Sequence, residues 1–302
     1  MRPILFGSLL AMTIALGISS ARADIRVVDD GGATVTLPGP ARRIISLAPH
    51  VTELLFAAGA GDAIVGTVEF SDHPAAAKGI PRVGTATLLD MERIVELKPD
   101  LIVVWLSGNP PAHLDRLRTL GVPIFRNEPR QLDDIGRALL QLGALAGTDD
   151  PAQVAASAFA ARAAALRMRY ANRSAVPLFW QVWARPLLTI NGRHLLDDVI
   201  RLCGGRNVFA TLRPLVPAVS VEAVVEADPE AIVTTRNDAS KAGDDGLDRW
   251  RALKRMRATA QGNLVVLDAD SIHRSSPRIL DGADALCQAL EGVRSRRPVP
   301  GR

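Results

Sequence analysis

The sequence predicts an α/β protein made of two similar lobes joined by a single long helix. The stretch "DMERIVELKPDLIVVW" (90–105) recurs in outline as "SVEAVVEADPEAIVTT" (220–235), with six of sixteen positions identical and no gap. Each copy has the pattern of a short helix followed by an apolar run of strand length. An alanine-rich helical stretch (148–173) separates the two copies. With 302 residues, 48% of them hydrophobic, the chain can fill two cores of this kind.

The N-terminal residues 1–23 have the pattern of a signal peptide. A basic Arg2 precedes an apolar run (4–18), and the small-residue pattern Ala-Arg-Ala (21–23) follows it. The run is short for a membrane span and contains glycine and serine. No cysteine lies near it to suggest a lipid anchor. We therefore expect an exported chain that begins at Asp24 and is soluble.

The first lobe is expected over residues 24–147. Its segment 42–66 has the pattern of a strand, a proline turn, a helix, a glycine stop and a second strand. In the repeated stretch, Asp90 is a plausible N-cap and Pro99 prevents the helix from continuing. The apolar run after Pro99 is typical of a strand covered on both faces. Another helix and strand follow (113–126), and this alternation predicts a parallel sheet.

The linking helix is expected over residues 148–173. Pro151 suits the first turn, and the alanine-rich interior favours a helix. About 20 helical residues would span about 30 Å, more than a tight linker needs. The residues expected to share one face are Val154, Ala158, Ala161, Ala165 and Met168. A peripheral helix of a single domain is the alternative.

The second lobe is expected over residues 174–293, because segments 175–209, 220–235 and 248–268 repeat the helix and strand order of the first. The residues that follow, 294–302, are expected to form a basic, solvated tail.

Charge and aromatic content do not favour nucleic-acid binding. The formal net charge of +4 includes Arg2 and Arg22, so removing residues 1–23 leaves +2. Aromatic residues make up only 4% of the chain, and no basic stripe is interleaved with them. We expect no nucleic-acid partner.

Two cysteines, Cys203 and Cys287, remain in a chain expected to enter an oxidising compartment, and an even count there favours a disulfide. Two buried thiols are the alternative. Neither cysteine has a second cysteine or a histidine at ligand spacing, so we expect no metal site.

Enzymatic motifs are absent from the sequence. Ser46, His50 and Asp72 could be combined into a hydrolase triad, but the chain contains no G-x-S-x-G elbow. The glycines of "GAGDAIVG" (59–66) do not fit G-x-G-x-x-G, and no Walker A or H-E-x-x-H motif occurs. We expect a binding protein without catalytic residues or a cofactor; a secreted α/β enzyme is the distant alternative.

The segments "RIISLAPHVTELLFAAGAGDAIVG", "SDHP", "IPRVGT", "DMERIVELKPDLIVVW", "CGGRNVF" and "SPRI", in this order and spacing, resemble the periplasmic substrate-binding proteins of the vitamin B12 and ferric-siderophore class, and most closely its cobalamin-binding branch. The resemblance extends over about residues 42–291. It implies the class III periplasmic binding protein fold, with two Rossmann-like lobes and little hinge motion. It also implies delivery of a metal-chelate ligand to the permease dimer of an ABC importer in the periplasm, although the sequence of a periplasmic sensor would look the same. We expect a monomer. Cobalamin or another corrinoid is the expected ligand, with haem or a ferric siderophore as the alternative.

Loops at the strand ends should line the ligand cleft between the lobes. His50 could ligate a metal or donate a hydrogen bond, or serve only as a loop histidine. Trp105 closes the first repeated strand. Gly108 and Asn109, which follow shortly after it, could let a bulky ligand approach the backbone. The expected ligand contacts are His50, Phe70, Trp105, Gly108, Asn109, Trp183, Arg185, Asp270, His273 and Arg274.

Several of these residues could have a structural role instead of contacting the ligand. Phe70 matches an aromatic contact implied by the resemblance but could be a core residue. Of Trp180 and Trp183, one is expected in the core and Trp183, with Arg185, in the site. The stretch 270–274 follows a strand and matches a ligand-contacting loop of the family, but it could be a solvated turn.

The chain departs from the cobalamin-binding pattern at three positions. Enteric-type relatives tend to have tryptophan where this chain has Ala86 and Val216, and phenylalanine near Leu188. Because large flat ligands need aromatic walls, these differences bear on the identity of the ligand.

Glu92 and Glu222 occupy the same place in the two repeated stretches. The resemblance implies that they dock on arginines of the permease dimer. A carboxylate in the first turn also favours the helix dipole, which would explain each glutamate without a partner.

Overall fold

A four-stranded parallel sheet organises the first half of the chain. The structure, a computed structural model, describes residues 24–236 and 246–298; the expected signal peptide and the end of the expected tail (299–302) lie outside these ranges. The elements of this half are β1 (Ile25–Val28), β2 (Thr34–Leu37), β3 (Ile44–Ser46), α1 (Pro49–Ala57), β4 (Ile64–Thr67), α2 (Met91–Glu96), β5 (Leu101–Trp105), α3 (Pro111–Arg118), β6 (Ile124–Asn127) and α4 (Leu132–Ala146).

The strand order of this sheet is β4-β3-β5-β6, and all neighbours are parallel. Ile44 lies beside Leu101, and Ile102 lies beside Ile124. The β3 strand and the first four residues of β5 are buried, as the continuous apolar runs predict for strands covered on both faces. The antiparallel hairpin β1-β2 lies outside this sheet.

A second four-stranded parallel sheet repeats the first in the other half. Its elements are α5 (Asp149–Tyr170), β7 (Val176–Gln181), β8 (Trp183–Ala184), β9 (Leu187–Leu188), α6 (Leu195–Leu202), β10 (Gly205–Asn207), α7 (Val221–Ala227), β11 (Ala231–Arg236), α8 (Asp248–Ala252), α9 (Arg257–Ala260), β12 (Leu264–Asp268), α10 (Ala269–Ile272) and α11 (Ile279–Ser295). The order β10-β7-β11-β12 corresponds strand for strand to the first sheet. The repeated stretches are therefore the third strand of each sheet with the helix before it.

The caps of the repeated helices form as the sequence predicts. The Asp90 carboxylate accepts the backbone N–H of Arg93 at 2.9 Å, and the Ser220 hydroxyl accepts that of Ala223 at 3.1 Å. Each cap satisfies a backbone donor that the first helical turn leaves unpaired. Both helices end before the proline of their repeat.

Helix α5 has 22 residues and packs beside α4, with its buried face formed by Ala152, Ala156, Phe159, Ala163, Leu166 and Tyr170. The expected face was wrong, since Val154 is 70% and Met168 75% exposed. Alanines occur all around this helix, so residue spacing alone does not single out a face. The close approach of Ala152 to Gly143 of α4 fixes which side packs.

One apolar cluster extends through both halves, because α1, α4, α5, α6 and α11 pack together between the two sheets. The opposite face of each sheet has its own smaller cluster. The lobe boundaries at residues 147 and 174, and the role of α5 as the sole link, stay predictions.

The expected disulfide is confirmed: Cys203, at the end of α6, is bonded to Cys287 of α11. Both cysteines are fully buried. The bond ties the last helix to the second sheet's helical layer.

The start of the basic tail is anchored, contrary to the expectation of a solvated segment. Arg294 belongs to α11 and donates to the carbonyl oxygen of Cys203 at 2.8 Å. Arg297 pairs with the buried Glu230, with Nη2 and Oε2 2.8 Å apart. These arginines satisfy carbonyl and carboxylate groups at the ends of elements, which composition alone does not reveal.

No helix within 24–236 and 246–298 combines the length and the apolar character that a membrane crossing requires.

Candidate ligand-binding site

Residues from both halves line a cleft of about 860 Å³ at the carboxyl ends of the two sheets. This is where ligands bind in parallel α/β folds. The first half contributes Pro49, Glu53, Glu69, Phe70, Asp72, His73, Thr85, Ala86, Thr87 and Trp105; the second contributes Ala269, Asp270, His273, Arg274 and Arg278. Five of the ten expected ligand contacts are among them: Phe70, Trp105, Asp270, His273 and Arg274.

Trp105 forms an aromatic surface of the first wall. It is the last residue of β5 and is 37% exposed. The His50 ring meets it edge to face, with ring centroids 5.3 Å apart. A Cβ atom at Gly108 would lie only 1.9 Å from the Trp105 ring, so the missing side chain makes room for the indole. His50 and Gly108 therefore support the wall from behind.

Asn109 also lies behind this wall, since it is only 2% exposed. Its side-chain amide donates to the carbonyl oxygens of Leu47 and Ala86, at 3.0 and 2.9 Å. Its oxygen accepts the backbone N–H of Trp105 at 2.7 Å. The sequence predicted that a ligand could approach the backbone at Asn109. In the structure, the Asn109 side chain instead forms hydrogen bonds that connect the loops of this wall.

Phe70 is presented to the cleft in an unfavourable backbone conformation. Its side chain is 70% exposed, which excludes the core alternative, and its φ is +64°. The left-handed region costs a residue other than glycine about 1–2 kcal/mol. An exposed aromatic side chain held this way at a cleft is typical of a binding position.

The second wall is polar and comes from α10 and the turn after it. Arg274 pairs with Asp270, with Nη2 and Oδ1 3.1 Å apart. His273 shares a hydrogen bond with the Thr235 hydroxyl at 2.8 Å, and its ring meets Trp180 edge to face at 6.4 Å. This wall therefore presents the Asp270–Arg274 ion pair and the His273 imidazole, which is held by Thr235 and Trp180.

Trp180 is fully buried, so it is the core member of the two tryptophans. Trp183 lies in the short hairpin β8-β9, is 62% exposed and donates its indole N–H to the Arg185 carbonyl at 2.8 Å. Neither Trp183 nor Arg185 is among the residues that line the cleft. Their contact with ligand stays a prediction.

The positions that depart from the cobalamin-binding pattern differ in location. Ala86 lines the cleft, so a small residue stands at the position where the resemblance implies a tryptophan. Leu188 pairs with Trp183 across the hairpin, and Val216 is 39% exposed.

Glu53 and Arg278 form part of the cleft lining and were not identified from the sequence as site residues. The Glu53 carboxylate is buried and accepts hydrogen bonds from Ser276 and Arg278. An acid inside the apolar helical stretch "VTELLF" could have indicated a buried charge that requires a partner.

Two histidines near the cleft, His50 and His273, have lowered pKa values. The pKa of His50 is lowered to about 4, first by burial and then by the positive charge of Arg274, while the nearby Asn127 amide acts in the opposite direction. The pKa of His273 is lowered by the same two causes, but less firmly than that of His50, because His273 is exposed to the cleft. Of the two, only His273 lines the cleft, where a neutral imidazole can form a hydrogen bond with a ligand without adding charge.

In the described ranges, no group of three or more histidine, cysteine or acidic side chains is placed to hold a metal ion.

The two glutamates predicted to dock on a permease occupy equivalent, exposed places. Glu92 lies in the first turn of α2 and Glu222 in the first turn of α7. Hydrogen bonds from its own backbone N–H and from Ser220 lower the pKa of Glu222. Because the two sheets have the same strand order, each half presents its glutamate from the same element.

The sequence pattern of the periplasmic binding protein family matches residues 44–271. A vitamin B12-binding protein of Vibrio cholerae serotype O1 is 37% identical over 255 residues, which cover 84% of this chain and 91% of that protein. One from Yersinia pestis is 37% identical over 260 residues, covering 86% of this chain and 90% of that protein.

Solved structures agree with these matches. The periplasmic vitamin B12-binding protein BtuF of Vibrio cholerae has a TM-score of 0.77 at 36% identity, covering 84% of this chain and 98% of that one. The periplasmic heme-binding protein RhuT from Roseiflexus sp. RS-1, in apo form, has a TM-score of 0.73 at 25% identity, covering 84% and 99%. The α/β fold predicted from the repeat is confirmed.

Proposed function

This chain belongs to the periplasmic binding protein family, and on that premise we propose that it captures cobalamin or a related corrinoid in the cleft and delivers it to an ABC importer. Proteins of the family bind solutes without transforming them, so the chain is not an enzyme. The 37% identity to vitamin B12-binding proteins supports the choice of ligand.

The observation that carries the proposal is the composition of the cleft. Phe70 and Trp105 supply aromatic surface on one wall, and Asp270, His273 and Arg274 supply hydrogen-bonding groups on the other. A corrinoid has a broad apolar ring system edged with amides, so it needs both kinds of surface. Trp183 and Arg185 would extend the second wall over the edge of the ligand.

A haem or ferric-siderophore ligand is the second candidate. The similarity to a heme-binding protein at 25% identity favours it, as does Ala86 at a position where cobalamin-binding relatives tend to have an aromatic residue. Both candidates are large metal chelates and both would use the same cleft.

The remaining elements of the proposal concern the chain as a whole. Residues 1–23 would direct export and be removed, leaving a monomer in the periplasm. Residues 24–147 and 174–293 would form the two lobes and 148–173 their link. Glu92 and Glu222 would each meet one subunit of the permease dimer, since their equivalent places suit a two-fold symmetric partner.

Calorimetric titration of the mature protein with cyanocobalamin, cobinamide, haem and several ferric siderophores tests the proposal. We expect a corrinoid to bind most tightly. If none of these compounds binds below about 10 µM, which corresponds to about −7 kcal/mol, the proposal fails. Tighter binding of haem than of both corrinoids would establish the second candidate.

A further inference from the structure

Asn109 joins three segments of the first wall through one side chain. The amide nitrogen reaches the carbonyl oxygens of Leu47, before α1, and of Ala86, in the loop that lines the cleft. The amide oxygen receives the N–H of Trp105, and the Asn109 N–H donates to the Trp105 carbonyl at 2.9 Å. Both backbone polar groups of Trp105 are thus bonded to the same residue.

The geometry requires a side chain that donates twice and accepts once. Asparagine offers two N–H donors and a carbonyl oxygen, and all three are used here. Aspartate has nearly the same shape, but ionised it can only accept. It would place an oxygen against the carbonyl oxygens of Leu47 and Ala86, with no hydrogen atom between them.

The segments that Asn109 joins carry the groups that shape the cleft. Ala86 and Trp105 line it directly. Leu47 leads into α1, whose first turn presents His50 to the edge of the Trp105 ring. Gly108 leaves space for that ring beside the backbone. A shift of any one segment would therefore move the indole relative to the others.

We propose that Asn109 is a positioning residue that holds Trp105 and the Ala86 loop in their binding arrangement before a ligand arrives. Its effect on affinity rests on the proposed function, whereas its effect on Trp105 does not. An interface that is already ordered loses less conformational freedom on binding, so affinity should depend on this buried amide even though it does not touch the ligand.

The test compares Asn109→Asp with the wild-type protein, both labelled with fluorotryptophan. The chain has four tryptophans, and Trp105→Phe identifies the fluorine resonance of Trp105. Without ligand, we expect that resonance to shift or broaden while those of Trp180, Trp183 and Trp250 stay in place. In calorimetry with cyanocobalamin, we expect Asn109→Asp to bind about tenfold more weakly or worse.

Asn263→Asp is the matched control. Asn263 is fully buried and donates to the Glu230 carbonyl and to Gln261, while its oxygen accepts from Arg296. It precedes β12, at the end of the sheet away from the cleft. We expect its variant to leave the Trp105 resonance unmoved and the cyanocobalamin affinity within about twofold.

A folded Asn109→Asp protein with an unmoved Trp105 resonance and an affinity within twofold of wild type would overturn the proposal. If Asn109→Asp does not fold, Asn109→Ser replaces it, since the serine hydroxyl can donate only once. An unmoved Trp105 resonance in Asn109→Ser would also overturn the proposal. If the wild-type protein does not bind cyanocobalamin, the proposed function fails for this ligand, while the fluorine spectra still decide whether Asn109 positions Trp105.

Discussion

Glu53 of α1 and Arg278, immediately before α11, lie 225 positions apart and form a two-point ion pair between the halves of the protein. Nε and Oε2 are 3.0 Å apart, and Nη2 and Oε1 are 2.9 Å apart. Ser276 donates a third hydrogen bond to the same carboxylate. Because Glu53 is only 6% exposed, its charge depends on these partners rather than on water.

Removing the arginine should therefore cost much more than breaking a surface ion pair. For Arg278→Met we expect the free energy of unfolding to fall by about 3 kcal/mol, because the Glu53 charge stays buried without its partner. Urea unfolding at pH 7 measures this. In the double variant Glu53→Gln/Arg278→Met, the loss should be smaller than the sum of the single losses.

Arg162→Met is the control for this prediction. Arg162 pairs with Asp281 between α5 and α11, and both side chains are about half exposed. Its loss should lower stability by less than about 1 kcal/mol. Equal effects of the two methionine variants would show that the pair at the cleft is no stronger than a surface contact.

Phe70→Gly should separate binding from stability. Glycine adopts the positive φ of position 70 without strain, so the free energy of unfolding should stay the same or rise by up to about 1 kcal/mol. Ligand affinity should fall by about 1–3 kcal/mol, because the aromatic surface is lost. Thermal unfolding and calorimetry with the tightest ligand measure the two effects.

Phe70→Tyr keeps the ring and should retain affinity within about twofold. A marked loss of stability in Phe70→Gly would mean that the ring packs on the protein instead of a ligand.

Trp183→Ala should also lower ligand affinity by about 1–3 kcal/mol if the hairpin reaches the ligand. Since Trp183 is 62% exposed, an unchanged affinity would place it outside the site rather than in the core.

Acidification should destabilise the protein through His50. Its pKa is lowered from 6.5 to about 4, so between these values the unfolded chain binds more protons than the folded one. The free energy of unfolding therefore falls as the pH decreases through this window. The contribution of His50 is about 2 kcal/mol between pH 7 and pH 5.

Urea unfolding at both pH values checks the histidine's part. His50→Gln keeps a polar side chain that does not titrate, so its stability should depend less on pH than that of the wild type, by about 2 kcal/mol. His194 and His273 also have lowered pKa values and should account for part of the remaining dependence. Identical pH dependence in His50→Gln and the wild type would contradict the prediction.

Reversing Glu92 and Glu222 should affect delivery but not capture. For Glu92→Arg/Glu222→Arg we expect ligand affinity within about twofold and loss of permease-dependent uptake, because each reversal would turn the proposed attraction to a permease arginine into a repulsion. Calorimetry and uptake of labelled ligand by cells measure the two steps.

Asp115→Arg/Asp248→Arg makes the same change in net charge at exposed acids of α3 and α8, one in each half. Uptake by this control should remain. Uptake that survives the reversal of Glu92 and Glu222 would leave the two glutamates with their effect on the helix dipole alone.

Local patterns were sufficient to predict the repeated units. A capping side chain at Asp90 or Ser220, an apolar stripe and a terminating proline act within one or two helical turns, so the sequence contains all the groups involved. The cysteine pair was predictable for a different reason, since export into an oxidising compartment constrains pairing when only two cysteines are present.

The site was predictable only in part. Trp105 could be assigned to the cleft because it closes a strand, and parallel sheets bring their strand ends together. Phe70 was assigned through the resemblance to the family, and the stretch 270–274 through that resemblance and its place after a strand. The supporting roles of Gly108 and Asn109 could not, since they arise from contacts with segments that are distant in the chain.

The sequence by itself determined the alternation of helix and strand in the two sheets, the caps at Asp90 and Ser220 and the internal repeat, because these depend on neighbouring residues. Tertiary structure alone decided which side of α5 is buried, because its alanines offer no preferred face until α4 packs against it. The tertiary structure also decided that Glu53 pairs with Arg278. A buried carboxylate needs a partner, but no local pattern specifies one that lies 225 positions away in the chain.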